Sequence, residues 1–176
     1  AVQLDGGEDL AMLEHPHDLW LSAFVQNGEQ RLAFGLAGCP TDRPAASIAL
    51  ADGHTLVVAV LELFLELARP EQTRMRHLLV EYSVEDVLLR LAERVSLQAV
   101  VDWQRIPGGS NLHIGAHPQA ESGVVYVGGV PPLGRLDPTM LRGVAQLARE
   151  FGDSSLRFTP WQSLLVPNVR AENAAK

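Results

Sequence analysis

Along residues 137–151 the apolar positions Leu141, Val144, Ala145, Leu147, Ala148 and Phe151 return at the three- and four-residue spacing of one buried helical face. Asp137 can cap that helix at its N-terminus, Pro138 suits its first turn, and Gly152 offers a stop. The next segment, SLRFTPWQSLLV, changes period: Leu156 and Phe158 alternate with Arg157 and Thr159, so one side can enter a core while the other presents a guanidinium and a hydroxyl. Pro160 has no amide donor for a central ladder and predicts a bend between two short strands, residues 155–159 and 162–166. Upstream, Asn111–His117 and Gly123–Val130 read as strands joined by a polar turn. The order strand, strand, helix, strand, strand predicts an α+β layer, a small sheet with the helix on one face.

The first hundred residues alternate differently. Residues 18–24 (DLWLSAF) and 30–36 (QRLAFGL) predict a hairpin across Asn27-Gly28, a pair that tolerates positive φ at both turn positions. AVQL at the start and residues 47–51 are further expected strands. Residues 55–69 are apolar nearly all round and predict a mostly buried helix ended by Pro70. A shorter helix is expected over 71–81. Ser83 and Asp86 bracket a capping-box-like start, after which Val84, Val87, Leu88, Leu91 and Val95 form one face. Periodicity lapses over 101–110, where Pro107, Gly108 and Gly109 mark a candidate linker between a domain at 1–100 and another at 111–176.

Composition narrows the function classes. Fourteen basic against twenty-one acidic residues give a net charge of −7, which argues against nonspecific nucleic-acid binding. The most apolar run, residues 56–68, contains Glu62 and Glu66 and is shorter than the roughly 20 residues a membrane span needs. The single cysteine, Cys39, allows no internal disulfide and fits a cytoplasmic setting. Lys176 is the only lysine, so the cations are otherwise arginines, whose planar fork matches carboxylates; an arginine-preferring genome gives the same count.

Several constellations carry chemistry. His15 and His17 point the same way in an extended chain, yet two imidazoles need a third ligand to hold a metal, so no metal site is assigned. His113 and His117 on one strand share a face at about 13 Å and cannot share one ion. Arg74, Arg76 and His77 form a basic cluster, with a solvated helix face as the alternative. Arg157, Thr159, Trp161 and Gln162 form the sharpest set: the arginine can fork onto a carboxylate, and the indole can pack on a planar ligand or fill a core. Asn168, in Val-Pro-Asn-Val, is a further polar candidate or a turn residue. GxGxxG and P-loop patterns are absent, so no nucleotide site is expected.

The segment from His113 to Val169, through VPPLGRL (Val130–Leu136), the helix after Asp137 and LRFTPWQSLLVPNV, resembles the ferredoxin-like half-domain of the nitrite and sulfite reductase superfamily, and within it precorrin-3B synthase. The first hundred residues resemble that superfamily's tetrapyrrole-binding domain. The resemblance implies an α+β fold with mixed sheets covered by helices, the second part ferredoxin-like. It implies an oxygen-dependent monooxygenase of cobalamin biosynthesis whose substrate pocket Arg157, Thr159, Trp161, Gln162, His113, His117 and Asn168 help to line. The alternative is a siroheme-dependent nitrite or sulfite reductase, towards which Gln162 leans; a third is a non-catalytic tetrapyrrole-binding module. The implied partners are a tetrapyrrole, precorrin-3A or siroheme, and the remaining domains of the same polypeptide. A homodimer through surfaces those domains would cover is also expected. The superfamily's [4Fe-4S] centre needs about four thiolates. With Cys39 alone, the chain is expected to be the middle portion of a longer enzyme, inactive by itself.

Overall fold

The structure, a computed structural model, describes residues 1–100 and 102–175. Val101, the first residue of the expected linker, and Lys176 lie outside the described residues. The chain divides into two compact units, Ala1–Pro107 and Gly108–Lys176.

In the first unit a four-stranded sheet runs in the order β1 (Val2–Asp5), β2 (His17–Gln26), β3 (Glu29–Gly38), β4 (Ala46–Ala49), with β1 parallel to β2 and the other pairs antiparallel. Asn27 and Gly28 turn the β2–β3 hairpin at φ 54° and 79°, as that dipeptide predicts. Alternation then sorts the strands. Leu19, Leu21, Phe34, Leu36 and Ile48 face three helices, α1 (Gly53–Leu67), α2 (Met75–Leu78) and α3 (Val84–Ala92), and bury with Leu56, Leu63, Leu78 and Leu91. The other face carries Trp20, Phe24 and Ala33 together with buried Asp5, Ser22, Arg31 and Ser47.

Ser83 caps α3 through the reciprocal box with Asp86. Three expectations change. The helix at 53–67 is buried on one side only: Leu56, Ala59, Val60 and Leu63 lie inside while Leu61 and Leu65 stay in solvent, because a single sheet covers it. The helix expected over 71–81 shrinks to Met75–Leu78: on its N-terminal side Gln72 Oε1 accepts from the Arg69 amide at 2.9 Å and Asp18 takes the Met75 amide at 2.9 Å, so the helix starts only there. Residues 102–107, within the stretch expected as a linker, pack in the first unit. Trp103 lies on Phe24 at 4.8 Å between ring centroids, Gln104 donates to the Thr41 carbonyl at 2.7 Å, and Arg105 reaches Asp5.

The second unit holds β5 (Gly115–Pro118), β6 (Val124–Gly129), α4 (Pro138–Phe151), β7 (Arg157–Phe158) and β8 (Leu164–Arg170), with sheet order β5-β6-β8-β7, all antiparallel. Asp137 caps α4 by accepting from the amides of Thr139 and Met140 at 2.7 and 2.8 Å. Val144, Ala148 and Phe151 of α4 pack on Val125, Val127, Val166 and Val169, so one sheet face is covered. Leu141 and Leu147, expected on the buried face, remain exposed because only the narrower stripe meets the strands.

Candidate functional site

The face turned away from α4 and one end of the second sheet collect most of the candidate residues. Register decides the face: Arg157 pairs with Leu165, Leu165 with Gly128, Gly128 with Gly115, and His117 with Tyr126, so alternation puts these residues opposite to the helix-facing Val127 and Val166. Arg157 is exposed there, and its guanidinium makes no hydrogen bond or ion pair among the described residues.

The strand expected from Asn111 begins only at Gly115. Residues 110–113 form a turn that folds over Gly128, where a Cβ would sit 2.7 Å from the His113 carbonyl carbon and closer still to its oxygen. Only a glycine lets the two backbones approach this closely. His113, thereby lifted out of the strand, stacks on Trp161 with ring centroids 5.2 Å apart and planes 17° from parallel. His113 and His117 are thus not the two same-face strand positions expected. His117 sits on β5, its Nε2 2.7 Å from the Ile114 carbonyl, a contact that needs the proton on that nitrogen, and its ring lies 5.3 Å from Tyr126.

Between β7 and β8 the chain closes a short loop around Pro160, in the bend that proline predicts. The Thr159 amide donates to the Ser163 carbonyl at 3.0 Å and the two hydroxyls share a hydrogen bond at 2.5 Å. Thr159 is therefore a loop closure rather than a free ligand contact, with its hydroxyl engaged inside the chain. Trp161 is half-buried against His113, and Gln162, at φ 56°, lays its side chain over Gly134 of the 3-10 turn Pro132–Gly134. Leu133, at φ 54°, stands 94% exposed on that turn. Arg157 on β7, the loop residues Trp161 and Gln162, and His113 in the turn before β5 thus gather near one end of the sheet.

Asn168 does not. It lies at the opposite end of β8, four residues beyond Leu164, or roughly 13 Å along a strand. Its φ is 57°, its amide and side-chain carbonyl bond both groups of Gln119 at 2.7 and 3.1 Å, and its Nδ2 donates to Asp153 at 2.7 Å. Its polar groups serve the irregularity where the β6–β8 register shifts between Val125 and Val127, which is the turn-type role rather than the pocket role.

The first unit offers less. Asp18, beside His15 and His17, takes Arg74 Nε at 2.9 Å and the Met75 amide, so the basic cluster around Arg74 is already partly neutralised. Burial alone would raise the Asp18 carboxyl, but bonds from Arg74, the N-terminal ammonium and the Met75 amide hold it at about 2. Among the described residues no group of three or more His, Cys, Asp or Glu is placed to hold a metal ion. Burial, with the carboxylates of Asp42 and Glu14, pushes the Cys39 thiol up, away from nucleophilic thiolate character. A mostly apolar recess of about 160 Å³ lies between β2, α1 and α2, lined by Leu19, Val60, Phe64, Met75 and Asp18, and is far too small for a macrocycle. No helix among the described residues is long and apolar enough to cross a membrane.

Sequence reasoning missed Gly128, Gly134 and Ser163, which build the joint on which the candidates sit. The first two carry no side chain to flag them; the signal that could have found Gly128 is a glycine inside an expected strand, which can mark close backbone approach.

Residues 117–176 match the family described as the nitrite/sulfite reductase ferredoxin-like half domain. A ferredoxin–nitrite reductase of Zea mays, described as chloroplastic, is 31% identical over 95% of this chain and 32% of its own length. One from Synechococcus elongatus is 24% identical over 96% of this chain and 35% of its own length. The structure titled Mycobacterium tuberculosis NirA protein shares the fold at a TM-score of 0.65 with 20% identity, covering 88% of this chain and 30% of that one. The chain spans about a third of the length of the curated relatives it matches. The half-domain match falls within the second unit, and the α+β architecture is the fold shared with that solved structure.

Proposed function

We propose that this chain, from the nitrite/sulfite reductase superfamily, forms part of the tetrapyrrole-binding wall of a siroheme-dependent nitrite or sulfite reductase. The observation that carries the reading is the meeting of Arg157, Trp161, Gln162 and His113 at one end of the second sheet. The donor set suits a flat ring edged with carboxylates. Arg157 is an exposed guanidinium without a paired carboxylate among the described residues, and the Trp161–His113 stack presents a flat aromatic surface at the same end of the sheet.

Siroheme, when bound, supplies the iron at which the oxyanion is reduced. With the ring bound, Arg157 would fork onto a carboxylate, Trp161 would offer it a flat apolar face, Gln162 would orient a polar substituent by its carboxamide, and Leu133 would keep water from the rim. The residues present do not fit a [4Fe-4S] cluster, which takes about four thiolates where this chain has Cys39 alone. We retain a cytoplasmic setting on the same single, unpaired cysteine.

The relatives are nitrite reductases, which favours the reductase over the precorrin-3B synthase reading. VPPLGRL and Thr159-Pro160-Trp161 favour the synthase, so a precorrin-type ligand is the competing arm of the test. Titration of the purified chain with siroheme and with a precorrin-like analogue, followed by absorbance, decides between them. Saturable siroheme binding, weakened about tenfold or more in Arg157→Ala, is the expected result, since a charge-assisted fork is worth about 1.5–3 kcal/mol. Binding indifferent to Arg157, or preference for the precorrin analogue, overturns the reading.

A further inference from the structure

Two arrangements in the second unit hold Gln162 in place, and one of them depends on an atom the chain lacks. Gly134 has φ +67° and follows Leu133 at φ 54°, so two successive residues of the VPPLGRL turn are left-handed. A Cβ on Gly134 would sit 3.0 Å from Gln162 Cδ and 3.1 Å from its Cβ, and would overlap its Oε1 outright. The Gln162 carboxamide thus lies directly across the Gly134 backbone. Gln162 itself is left-handed, and its neighbours Thr159 and Ser163 are tied to each other through amide, carbonyl and hydroxyl. The loop is pinned at its base by that pair, at Trp161 by the His113 stack, and at Gln162 by Gly134.

We propose that Gly134 is a positioning residue of this site: its bare backbone is the seat for the Gln162 carboxamide, and it thereby sets the orientation of Gln162 and of the Trp161 face. The assignment of the ligand rests on the tetrapyrrole reading above; the seat itself does not. A side chain at Gly134 acts in two separable ways. It incurs the strain of a left-handed non-glycine residue, and it displaces Gln162. Gly123 separates the two effects, since it is left-handed at φ +80° with nothing within 4 Å of its Cβ position.

The test compares Gly134→Ala and Gly123→Ala in the full chain by NMR and by urea unfolding, with no ligand present. Both substitutions carry the left-handed strain. Only Gly134→Ala shifts the Gln162 side-chain amide signals and reduces the ring-current shift that Trp161 imposes on His113. A double-mutant cycle with Gln162→Gly, which relieves all three close contacts, keeps the test open if Gly134→Ala folds poorly. The loss in unfolding midpoint from Gly134→Ala is then smaller in the Gln162→Gly background. Unmoved Gln162 and His113 signals, or equal losses in both backgrounds, overturn the proposal. Siroheme is then added: Gly134→Ala weakens binding about tenfold while Gly123→Ala leaves it unchanged. If the wild-type chain binds no siroheme although the NMR differences are found, the tetrapyrrole reading fails and the seat stands. Equal siroheme affinity in both variants overturns the positioning role towards that ligand.

Discussion

Replacing Arg105 by methionine removes the cation paired with the Asp5 carboxylate, whose side chain is 1% exposed. Arg105 Nε and Nη2 donate to the two Asp5 oxygens at 2.7 and 3.2 Å, Ser22 Oγ also donates to Asp5, and the Gly7 amide adds a bond at 3.1 Å. Methionine keeps most of the apolar stem and leaves Asp5 buried with the hydroxyl and one amide. Breaking a buried pair in this way costs about 3–5 kcal/mol, because the remaining charge has no counterion. Burial is the largest influence on Asp5 and raises its carboxyl; in the native protein the bonds from Arg105, Ser22 and Gly7 outweigh it and hold the group below 3.8. The wild-type contribution is therefore present above 3.8 and is lost as pH falls through the lower folded value. In Arg105→Met burial dominates, the folded value rises, and the sign inverts: the deficit against wild type is largest near neutrality and shrinks on acidification. Native-state hydrogen exchange of the Leu21 and Phe34 amides reads the first unit alone. A deficit under about 1 kcal/mol at neutral pH, or one that does not shrink by about pH 4, refutes the reasoning.

Asp137→Ala removes the cap of α4 and should lower the stability of the second unit by about 1 kcal/mol in urea, with Asp137→Asn retaining most of it. Asp18 stabilises the fold above 3.8 and loses that contribution as pH falls towards about 2, so the stability gap between wild type and Asp18→Asn should narrow across that interval in acid titrations. Leu61 and Leu65 of α1 and Leu141 and Leu147 of α4 stay exposed, which predicts self-association at high concentration; sedimentation at a constant 19.1 kDa contradicts it.

Local chemistry was legible in the sequence wherever one or two residues decide a structure. Asn27-Gly28 sets its hairpin, Ser83 and Asp86 their box, Asp137 its cap, and Pro160 the break between β7 and β8. Features decided by partners far along the chain were not. A helix is expected over residues 71–81, but Gln72 and Asp18 hold its N-terminal side turned or extended as far as Met75, and one helical turn forms. The strand expected from Asn111 is cut short because Gly128 admits the His113 backbone onto the sheet, and β8 outruns Val166 because Asn168 supports an irregularity past Pro167. The candidate site divides on the same principle. Alternation alone places Arg157 on the open face, whereas the Trp161–His113 stack joins residues almost fifty positions apart and leaves no periodic trace.

The most direct test of the account is to map siroheme onto the second unit by NMR chemical-shift perturbation in the full chain. The account predicts that signals of His113, Trp161, Gln162 and Arg157 move together on titration while Gln119, Asp153 and Asn168, at the far end of the same sheet, stay fixed. Perturbations centred on that far end, or none in the second unit, contradict it.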